Sequence, residues 1–452
     1  MSDHAHPVAP TTAAETELPS ELLAQSMGEY LHGWWAKVRG GDSGVLPVVL
    51  GIVVVAIAFQ IANARFLSAQ NLVNILEQSS IYMLLAMAEI FALLLGEIDL
   101  SVGLVMGVGA VMVAEFVQPP APASCVLCTH GLAWPAWLAI GVTLAICMGV
   151  GLIQGTMVAR LKMPSFIVTL GGLLILQGVS IALLQGGAVA IGNSLVANEH
   201  AIYEIFWGRF SPLVSWILLA VVVVAAAAGW WFRDITRRRR GVVTPPRSVT
   251  AAKIVLVAAA GIVVVAICNV NRAHVGVAQG VPYILPIVLA VLLLWTMLLQ
   301  RTRYGRYVYA VGGNPEAARR AGVNLAVIRI WAFVLAALTA GIAGILFASW
   351  QVNITANIIK SANAYVLLAV AAAVVGGTSL TGGRGKALHG LLGGLIIGGI
   401  YNGLYLIGVP SEWIDIVVAA VLLAAAIIDV RSRQRPLRFL GRLRPGQIAR
   451  LR

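Results

Sequence analysis

Two carboxylate side chains stand in a short polar interruption between long apolar stretches of this chain. The interruption covers residues 96–103, GEIDLSVG, and its polar residues are Glu97, Asp99 and Ser101. An ionised group at membrane depth costs several kcal/mol unless it faces water, a partner or a helix end. Asp99 or Ser101 can cap the following helix by accepting its free backbone N–H groups. The three side chains can equally line a water-filled path, and the two roles are compatible.

A third carboxylate, Glu89, lies one to two helical turns earlier in the same apolar stretch. Such a side chain is tolerated when it faces a cavity, and in some transporters it relays protons. One carboxylate without an evident partner favours the cavity-facing role. The alternative is an ion-coupled secondary transporter that would use Glu89, Glu97 and Asp99 as its ligands.

A second, glycine-rich interruption covers residues 376–386, GGTSLTGGRGK. It has the composition of a phosphate-binding loop but not the pattern, which requires Gly where Leu380 stands and Ser or Thr where Ala387 stands. No nucleotide site is therefore predicted in this chain. The stretch instead predicts a break between helices, with Thr378 and Ser379 as polar side chains.

Residues 314–322, NPEAARRAG, carry the signals of a short helix with both ends specified. An Asn suits the N-cap and a Pro suits the first helical position. The acid lies at the positive end of the helix dipole, the two arginines lie at the negative end, and a Gly closes the helix. The pattern predicts a capped helix of about two turns in a basic loop, either a plain connector or a docking element for a soluble partner. Its residues are Asn314, Pro315, Glu316, Ala317, Arg319, Arg320 and Gly322.

These segments lie in a chain whose composition excludes a soluble enzyme. Of its 452 residues 60% are hydrophobic and only 11% are charged, whereas soluble domains have about 25% charged residues. The fold class predicted is an all-α polytopic membrane protein with about 10 to 12 transmembrane helices, some of them broken. The apolar spans are 44–62, 76–96, 101–117, 134–157, 165–185, 213–232, 253–270, 282–300, 327–349, 364–377, 388–407 and 412–429.

A weak internal repeat relates the two interruptions. Residues 84–103 and 367–385 each run from an apolar helix through Gly and a polar break to a glycine-containing stretch. Interrupted helices in two halves of a transporter point to the substrate path. The residues predicted to line this path are Glu97, Asp99, Ser101, Thr378 and Ser379. The glycines at 394, 398, 399 and 403 predict close helix packing, within the chain or between copies.

The basic residues orient the chain in its membrane. If both termini are cytoplasmic, 27 of the 31 Lys and Arg lie inside, and only Arg65, Arg209, Arg272 and Lys360 lie outside. This asymmetry accounts for the net charge of +13 without a nucleic acid, and the sequence has no nucleic-acid-reading motif. No metal cluster or catalytic set is spaced as a site.

The ends of the chain differ from its apolar middle. Residues 1–43 form a polar tail, in which Trp34 and Trp35 with Lys37 and Arg39 suit either a helix at the membrane–water interface or an ordinary surface helix. Residues 44–430 form the membrane domain, and 431–452 form a basic cytoplasmic tail. Cys125 and Cys128, in a predicted outside loop, can form a disulfide or remain two thiols.

Four of these segments together resemble a known family. They are GEIDLSVG (96–103), KMPSFIVTL (162–170), GGNPEAARRAGVN (312–324) and VVGGTSLTGGRG (374–385). In this order they resemble the permease subunits of sugar-uptake ABC transporters of the ribose and xylose group. The extra pair of spans around the basic stretch 233–253 resembles the xylose-type permease. The resemblance extends from about Leu67 to Val430.

The resemblance implies a bacterial inner-membrane protein that forms the translocation path for a monosaccharide, a pentose such as xylose. Two copies would form the path together. A cytoplasmic ATPase would bind ATP and Mg²⁺ and drive transport, so this chain would hold no cofactor of its own. A periplasmic sugar-binding protein would deliver the substrate. The helix at 314–322 would be the coupling helix that contacts the ATPase.

Overall fold

The structure is a computed structural model that describes residues 26–39, 44–119, 131–184, 187–191, 197–241, 244, 246–272, 278–421, 423, 424 and 427. Three sequence predictions concern residues outside this set. They are the Cys125–Cys128 pair, the first 25 residues of the polar tail and the basic tail at 431–452.

Helices dominate the described part of the chain. In chain order the elements are α1 (Met27–Arg39), α2 (Leu46–Ala62), α3 (Ala69–Leu94), α4 (Val102–Val117), α5 (Ala136–Arg160), α6 (Ser165–Leu183), β1 (Ala188–Ala190), α7 (Ala197–Trp207), α8 (Pro212–Arg239), α9 (Arg247–Asn269), α10 (Ile284–Arg301), α11 (Arg303–Gly313), α12 (Pro315–Arg320), α13 (Leu325–Gln351), β2 (Asn353–Thr355), α14 (Ala356–Val375) and α15 (Ala387–Leu406). Residues 411–421 are also helical.

Nine helices within these residues are long and apolar enough to cross a membrane, namely α3, α5, α6, α8, α9, α10, α13, α14 and α15. The apolar helices α2 and α4 are shorter. The prediction of an all-α polytopic membrane protein is therefore confirmed. One small addition is an antiparallel pairing of β1 with β2, in which Val189 lies opposite Ile354.

The chain divides into two compact units. Among the described residues, the first takes in 26–39 and those of Leu219–Ile262. Within it, Asp234 near the end of α8 accepts a hydrogen bond from the Thr250 hydroxyl. The second unit comprises Gly44–Leu218 and Val263–Asp429 and contains both polar interruptions and the short capped helix.

Helix α3 is the innermost element of the second unit. It packs against α13, α14 and α15, and its residues from Ser79 to Leu94 are all buried. Together with α15 it is the least apolar of the nine spanning helices. A helix that faces protein rather than lipid can carry more polar side chains, since other helices can satisfy them. The polar side chains of α3 therefore face other helices in the interior of the protein.

Close packing of α15 on α3 depends on glycine. A Cβ at Gly394 would overlap the backbone of Met83, and a Cβ at Gly398 would overlap Ser79. The two glycines are one helical turn apart and face the same side of α15. The small residues noted in the sequence thus pack two helices of one chain together.

Candidate functional site

A cavity of about 640 Å³ opens at the end of the second unit where α3 begins. We call it the tyrosine cavity. It is formed by the first half of α3, the end of α13, the middle of α14, the end of α15 and the helical residues after it. Its described lining residues are Asn71, Asn74, Gln78, Tyr82, Trp350, Ser361, Ala364, Tyr365, Leu368, Tyr401, Asn402, Tyr405, Leu406 and Asp415.

Three tyrosines from three different helices stack at the inner end of this cavity. The ring centroid of Tyr82 lies 5.5 Å from that of Tyr365 and 5.8 Å from that of Tyr401, with interplanar angles of 13° and 20°. These distances are those of stacked aromatic pairs. The Tyr401 hydroxyl also donates a hydrogen bond of 3.0 Å to Asp415 Oδ1. Tyr82 is buried and stacks against both of the other rings.

Amide side chains line the wall of the cavity beside the stack. Asn71, Asn74 and Gln78 follow one face of α3, because residues three and four apart lie above one another on a helix. Asn71 Nδ2 donates to the carbonyl oxygen of Phe66 at 2.9 Å. On α15, Asn402 is buried, and its Oδ1 has no hydrogen-bond partner among the described residues. The wall therefore offers both hydrogen-bond donors and acceptors.

A buried polar cluster lies two helical turns beyond Tyr82 along α3. Glu89 Oε1 accepts the backbone N–H of Asp99 at 3.2 Å. Asp99 Oδ1 accepts both the backbone N–H of Ser101 at 2.9 Å and its hydroxyl at 2.6 Å. Ser101 Oγ lies 3.0 Å from Gln154 Oε1 on α5. All four side chains are buried, and Glu89 Oε2 has no partner among the described residues.

Asp99 thus holds the start of α4 through an Asx-type hydrogen bond. Ser101 occupies the N-cap position, but its side chain accepts no N–H group from the helix. Instead its own backbone N–H is held by the Asp99 carboxylate two residues earlier. The positive end of the helix dipole stabilises a carboxylate in this position.

The two polar interruptions begin in the same way. After α3, Gly96 has φ 75°, and the N–H of Glu97 donates to the carbonyl oxygen of Ala92. After α14, Gly377 has φ 106°, and the N–H of Thr378 donates to the carbonyl oxygen of Ala373. Both are Schellman endings, which require a residue that tolerates a positive φ. The internal repeat is thus visible in the backbone.

The two interruptions also contact each other. The N–H of Gly383 donates to the carbonyl oxygen of Leu94 at 2.9 Å. The hydroxyl of Tyr309 on α11 donates a hydrogen bond of 2.8 Å to the carbonyl oxygen of Gly385. Thr378 and Ser379 are both buried here. The end of α3, the second interruption and α11 therefore form one contact region.

Helix α12 follows α11 directly and has both ends specified as predicted. Asn314 Oδ1 accepts the N–H of Ala317 at 3.0 Å, and Pro315 occupies the first turn. At the other end, Gly322 has φ 83°, and the N–H of Val323 donates to the carbonyl oxygen of Ala318 at 3.0 Å. This hydrogen bond completes a Schellman motif. The exposed Glu316 and Arg319 side chains form an ion pair of 2.7 Å. Ala317 and Arg320 are exposed as well.

A second polar cleft, of about 630 Å³, connects α12 to the first interruption. Glu97, Lys162, Arg319 and Arg329 are its charged lining residues. Glu97 Oε1 lies 3.4 Å from Arg329 Nη2, so the carboxylate is paired rather than isolated. This cleft lies at the opposite end of α3 from the tyrosine cavity.

Comparison with known proteins places this sequence in a family. The sequence matches the family described as branched-chain amino acid transport system / permease component over residues 71–426. The chain belongs to this permease family. The matched range contains both interruptions, the capped helix and the tyrosine cavity.

Curated relatives of the permease match it over nearly its whole length. The xylose transport system permease protein of Escherichia coli strain K12 is 31% identical over 406 residues, 89% of this chain and 96% of the relative. The corresponding protein of Haemophilus influenzae is 29% identical over 88% and 99%. The ribose import permease protein of Escherichia coli is 30% identical over 82% and 89%. No solved structure matches the chain significantly. The resemblance indicated by the four motifs is confirmed.

The structure separates the residues singled out in the permease sequence into three places. Asp99 and Ser101 belong to the buried cluster, and Glu97 faces the second cleft. Thr378 and Ser379 lie in the contact region between the interruptions. The residues that line the tyrosine cavity were not predicted. Aromatic residues in three separate apolar spans give no local signal, although Tyr401 and Tyr405 are one turn apart on α15.

Proposed function

We propose that this permease forms the membrane path of an ATP-driven importer for a monosaccharide, and that the substrate is a pentose such as xylose. The relatives that match almost end to end are named for xylose and ribose transport. The observation that carries the mechanism is the doubly capped helix α12, which is linked through one cleft to the polar break that ends α3.

Helix α12 is the element through which an ATPase subunit would act. Its buried Ala318 fixes it to the rest of the unit, while its charged side chains point to solvent. A partner that pushes on such a helix moves a rigid body, because both helix ends are satisfied by hydrogen bonds. ATP and Mg²⁺ would be bound by that partner. The contact residues are Asn314, Pro315, Glu316, Ala317, Arg319, Arg320 and Gly322.

Movement of α12 would reach the substrate path through the two interruptions. The ion pair of Glu97 with Arg329 connects the first interruption to the start of α13, and Tyr309 connects α11 to the second. In the present state Asp99, Ser101, Thr378 and Ser379 are buried. We infer that they close the inner end of the path, and that a second copy of the chain completes it.

The orientation follows from the charge distribution of the sequence. Cytoplasmic termini put α12 on the side of the ATPase and the tyrosine cavity on the outer side of a bacterial inner membrane. A soluble sugar-binding protein would then deliver its ligand to the cavity. In a background with Cys125→Ser and Cys128→Ser, an impermeant thiol reagent should label Lys360→Cys and not Ala317→Cys in intact cells. Labelling of position 317 would contradict this orientation.

Reconstitution tests the proposed function. The permease is placed in proteoliposomes with its partner ATPase and sugar-binding protein, and uptake of radiolabelled xylose, ribose, glucose and leucine is measured. Uptake should require ATP and the binding protein, prefer a pentose, and persist with a protonophore. Protonophore-sensitive uptake by the permease alone would instead support the ion-coupled alternative. Preferential uptake of leucine would overturn the assignment of the substrate class.

A further inference from the structure

We propose that the tyrosine cavity is a sugar-binding site of the permease itself, which takes one uncharged monosaccharide ring. This inference rests on the proposed function, because it assumes that the transported molecule is a sugar. It adds that the membrane subunit contacts the sugar through defined side chains. The path would then select its substrate a second time, after the soluble binding protein.

The size and composition of the cavity suit a small polar ligand. Its volume of about 640 Å³ falls within the range of about 300 to 1,000 Å³ that is typical of small-molecule sites. Its described lining contains four tyrosines, one tryptophan, three asparagines and one glutamine. Pockets of this kind combine apolar ring surfaces with a few polar groups that fix the ligand.

The stacked tyrosines supply the apolar surface. Tyr365 and Tyr401 are half-buried and flank the buried Tyr82, so the stack leaves ring surface facing the cavity. A sugar ring has a C–H face that packs on an aromatic ring and a rim of hydroxyl groups that requires hydrogen bonds. Asn74 and Gln78 on one wall can meet such a rim, because amides both donate and accept.

Asn402 is the observation that points most directly to a ligand. It lines the cavity, only 7% of it is exposed, and its Oδ1 has no hydrogen-bond partner among the described residues. A buried acceptor that stays unsatisfied destabilises the protein, because it has lost its hydrogen bonds to water. A hydroxyl group of a bound sugar would satisfy it. The cavity therefore contains an acceptor that a polyol can use.

The charges of the cavity distinguish a sugar from an amino acid. No Lys or Arg occurs among its described lining residues, and Asp415 is the acidic one. An amino acid would bring a carboxylate for which this lining offers no cationic partner, although Asp415 could pair with its ammonium group. A neutral sugar leaves no charge unpaired, and Asp415 can accept a hydrogen bond from one of its hydroxyl groups.

Ligand binding to the full-length permease in nanodiscs, without any partner protein, tests the proposal. Saturation-transfer NMR with D-xylose should detect transfer to the sugar ring protons, and the same measurement with L-leucine should not. Tyr365→Leu removes one face of the stack and should weaken xylose binding about tenfold. Tyr365→Phe keeps the ring and should retain most of the signal. If Tyr365→Leu does not assemble, Asn74→Leu carries the same expectation.

The matched control is Phe59→Leu, which also removes an aromatic ring but lies outside the cavity, in a stack with Phe66. It should leave xylose binding unchanged. Absence of saturation transfer in the unaltered permease, an equal signal from leucine, or an unchanged signal in the assembled cavity variant would overturn the proposal.

The reconstituted importer separates failure of this inference from failure of the proposed function. ATP-dependent xylose uptake together with no xylose binding to the permease would reject only the cavity site. Absence of ATP-dependent uptake of any sugar would reject the proposed function, and with it the premise of this inference. Binding of xylose that is sensitive to Tyr365→Leu, together with uptake by the importer, is the expected result.

Discussion

Glu97 Oε1 lies 3.4 Å from Arg329 Nη2, and this ion pair joins the polar break after α3 to the first turns of α13. The two side chains are 17% and 29% exposed, so water screens the pair only in part. The short helix α12 precedes α13 in the chain, and its Arg319 lines the same cleft. We therefore expect a displacement of α12 to move the end of α3 through this cleft and ion pair.

Charge substitutions at this pair should weaken transport without preventing assembly. A partly exposed ion pair contributes about 1 kcal/mol or less to stability. We expect Arg329→Gln to lower ATPase stimulation by the binding protein about two- to fivefold in proteoliposomes, with normal yield and thermal stability. The reversed pair, Glu97→Arg with Arg329→Glu, should recover most of the stimulation. If the reversed pair is no better than the single variants, the ion pair does not transmit the movement.

Gly322, which follows α12 in the left-handed backbone conformation, allows the ending of this helix to be tested without changing a charge. Gly322 has φ 83° and open space around its Cα, so an added Cβ meets no atom but strains the backbone. This strain costs about 1–2 kcal/mol. Gly322→Ala should reduce xylose uptake several-fold. Gly313→Ala, also into open space but without a positive φ, is the matched control and should behave normally. Equal uptake by the two variants would show that the ending of α12 is unimportant.

Substitutions at Asp99 distinguish its hydrogen bonds from its charge. Asp99→Asn can still accept both hydrogen bonds from Ser101, whereas Asp99→Leu leaves that buried backbone N–H without a partner, at about 1–3 kcal/mol. The Asn variant should assemble normally, and the Leu variant should show reduced yield and a lower Tm. Transport by the assembled Asn variant then reports on the charge. A Leu variant with normal stability and uptake would remove Asp99 from the mechanism.

Adjacent glycines on α15 test the packing of the second unit. Gly398→Ala places a methyl group against Ser79 of α3, while Gly399→Ala meets no atom closer than Val55 at 4.0 Å. Overpacking costs about 1–3 kcal/mol. The first substitution should lower the Tm of the purified permease by several degrees, and the second should leave it near that of the parent. Similar melting curves for both would contradict the close contact between α15 and α3.

The sequence predicts those parts of the structure that depend on neighbours along the chain. The caps of α12 follow from residue types at fixed positions, and the interruptions follow from carboxylates and glycines between apolar runs. Polar helix ends are harder to predict, because hydropathy identifies only the apolar part of a helix. The span at 364–377 is in fact α14, which starts at Ala356 because Thr355 accepts the N–H of Ile358 as its N-cap.

Contacts between distant segments could not be predicted in this way. The pairing of Glu97 with Arg329 depends on how α13 packs against α3 and α5. The tyrosine stack needs one ring from each of three helices, and each ring alone is an ordinary residue of an apolar span. The sequence predicts that Asp99 caps a helix or lines a path, and its hydrogen bonds to Ser101 come from local geometry. Its burial against Gln154 comes from tertiary packing.

ATP hydrolysis by the reconstituted importer, measured with and without the loaded binding protein, tests the central claim most directly when the permease carries Ala318→Pro. The N–H of Ala318 donates to the carbonyl oxygen of Asn314 at 3.0 Å, in the first turn of α12. Proline at position 318 removes this hydrogen bond and destabilises the helix by about 3 kcal/mol. The variant should still assemble in the membrane and bind the sugar-binding protein, but hydrolysis should no longer respond to that protein and xylose uptake should stop. Full stimulation of hydrolysis and normal uptake would show that the ATPase is coupled to this permease through another element than α12.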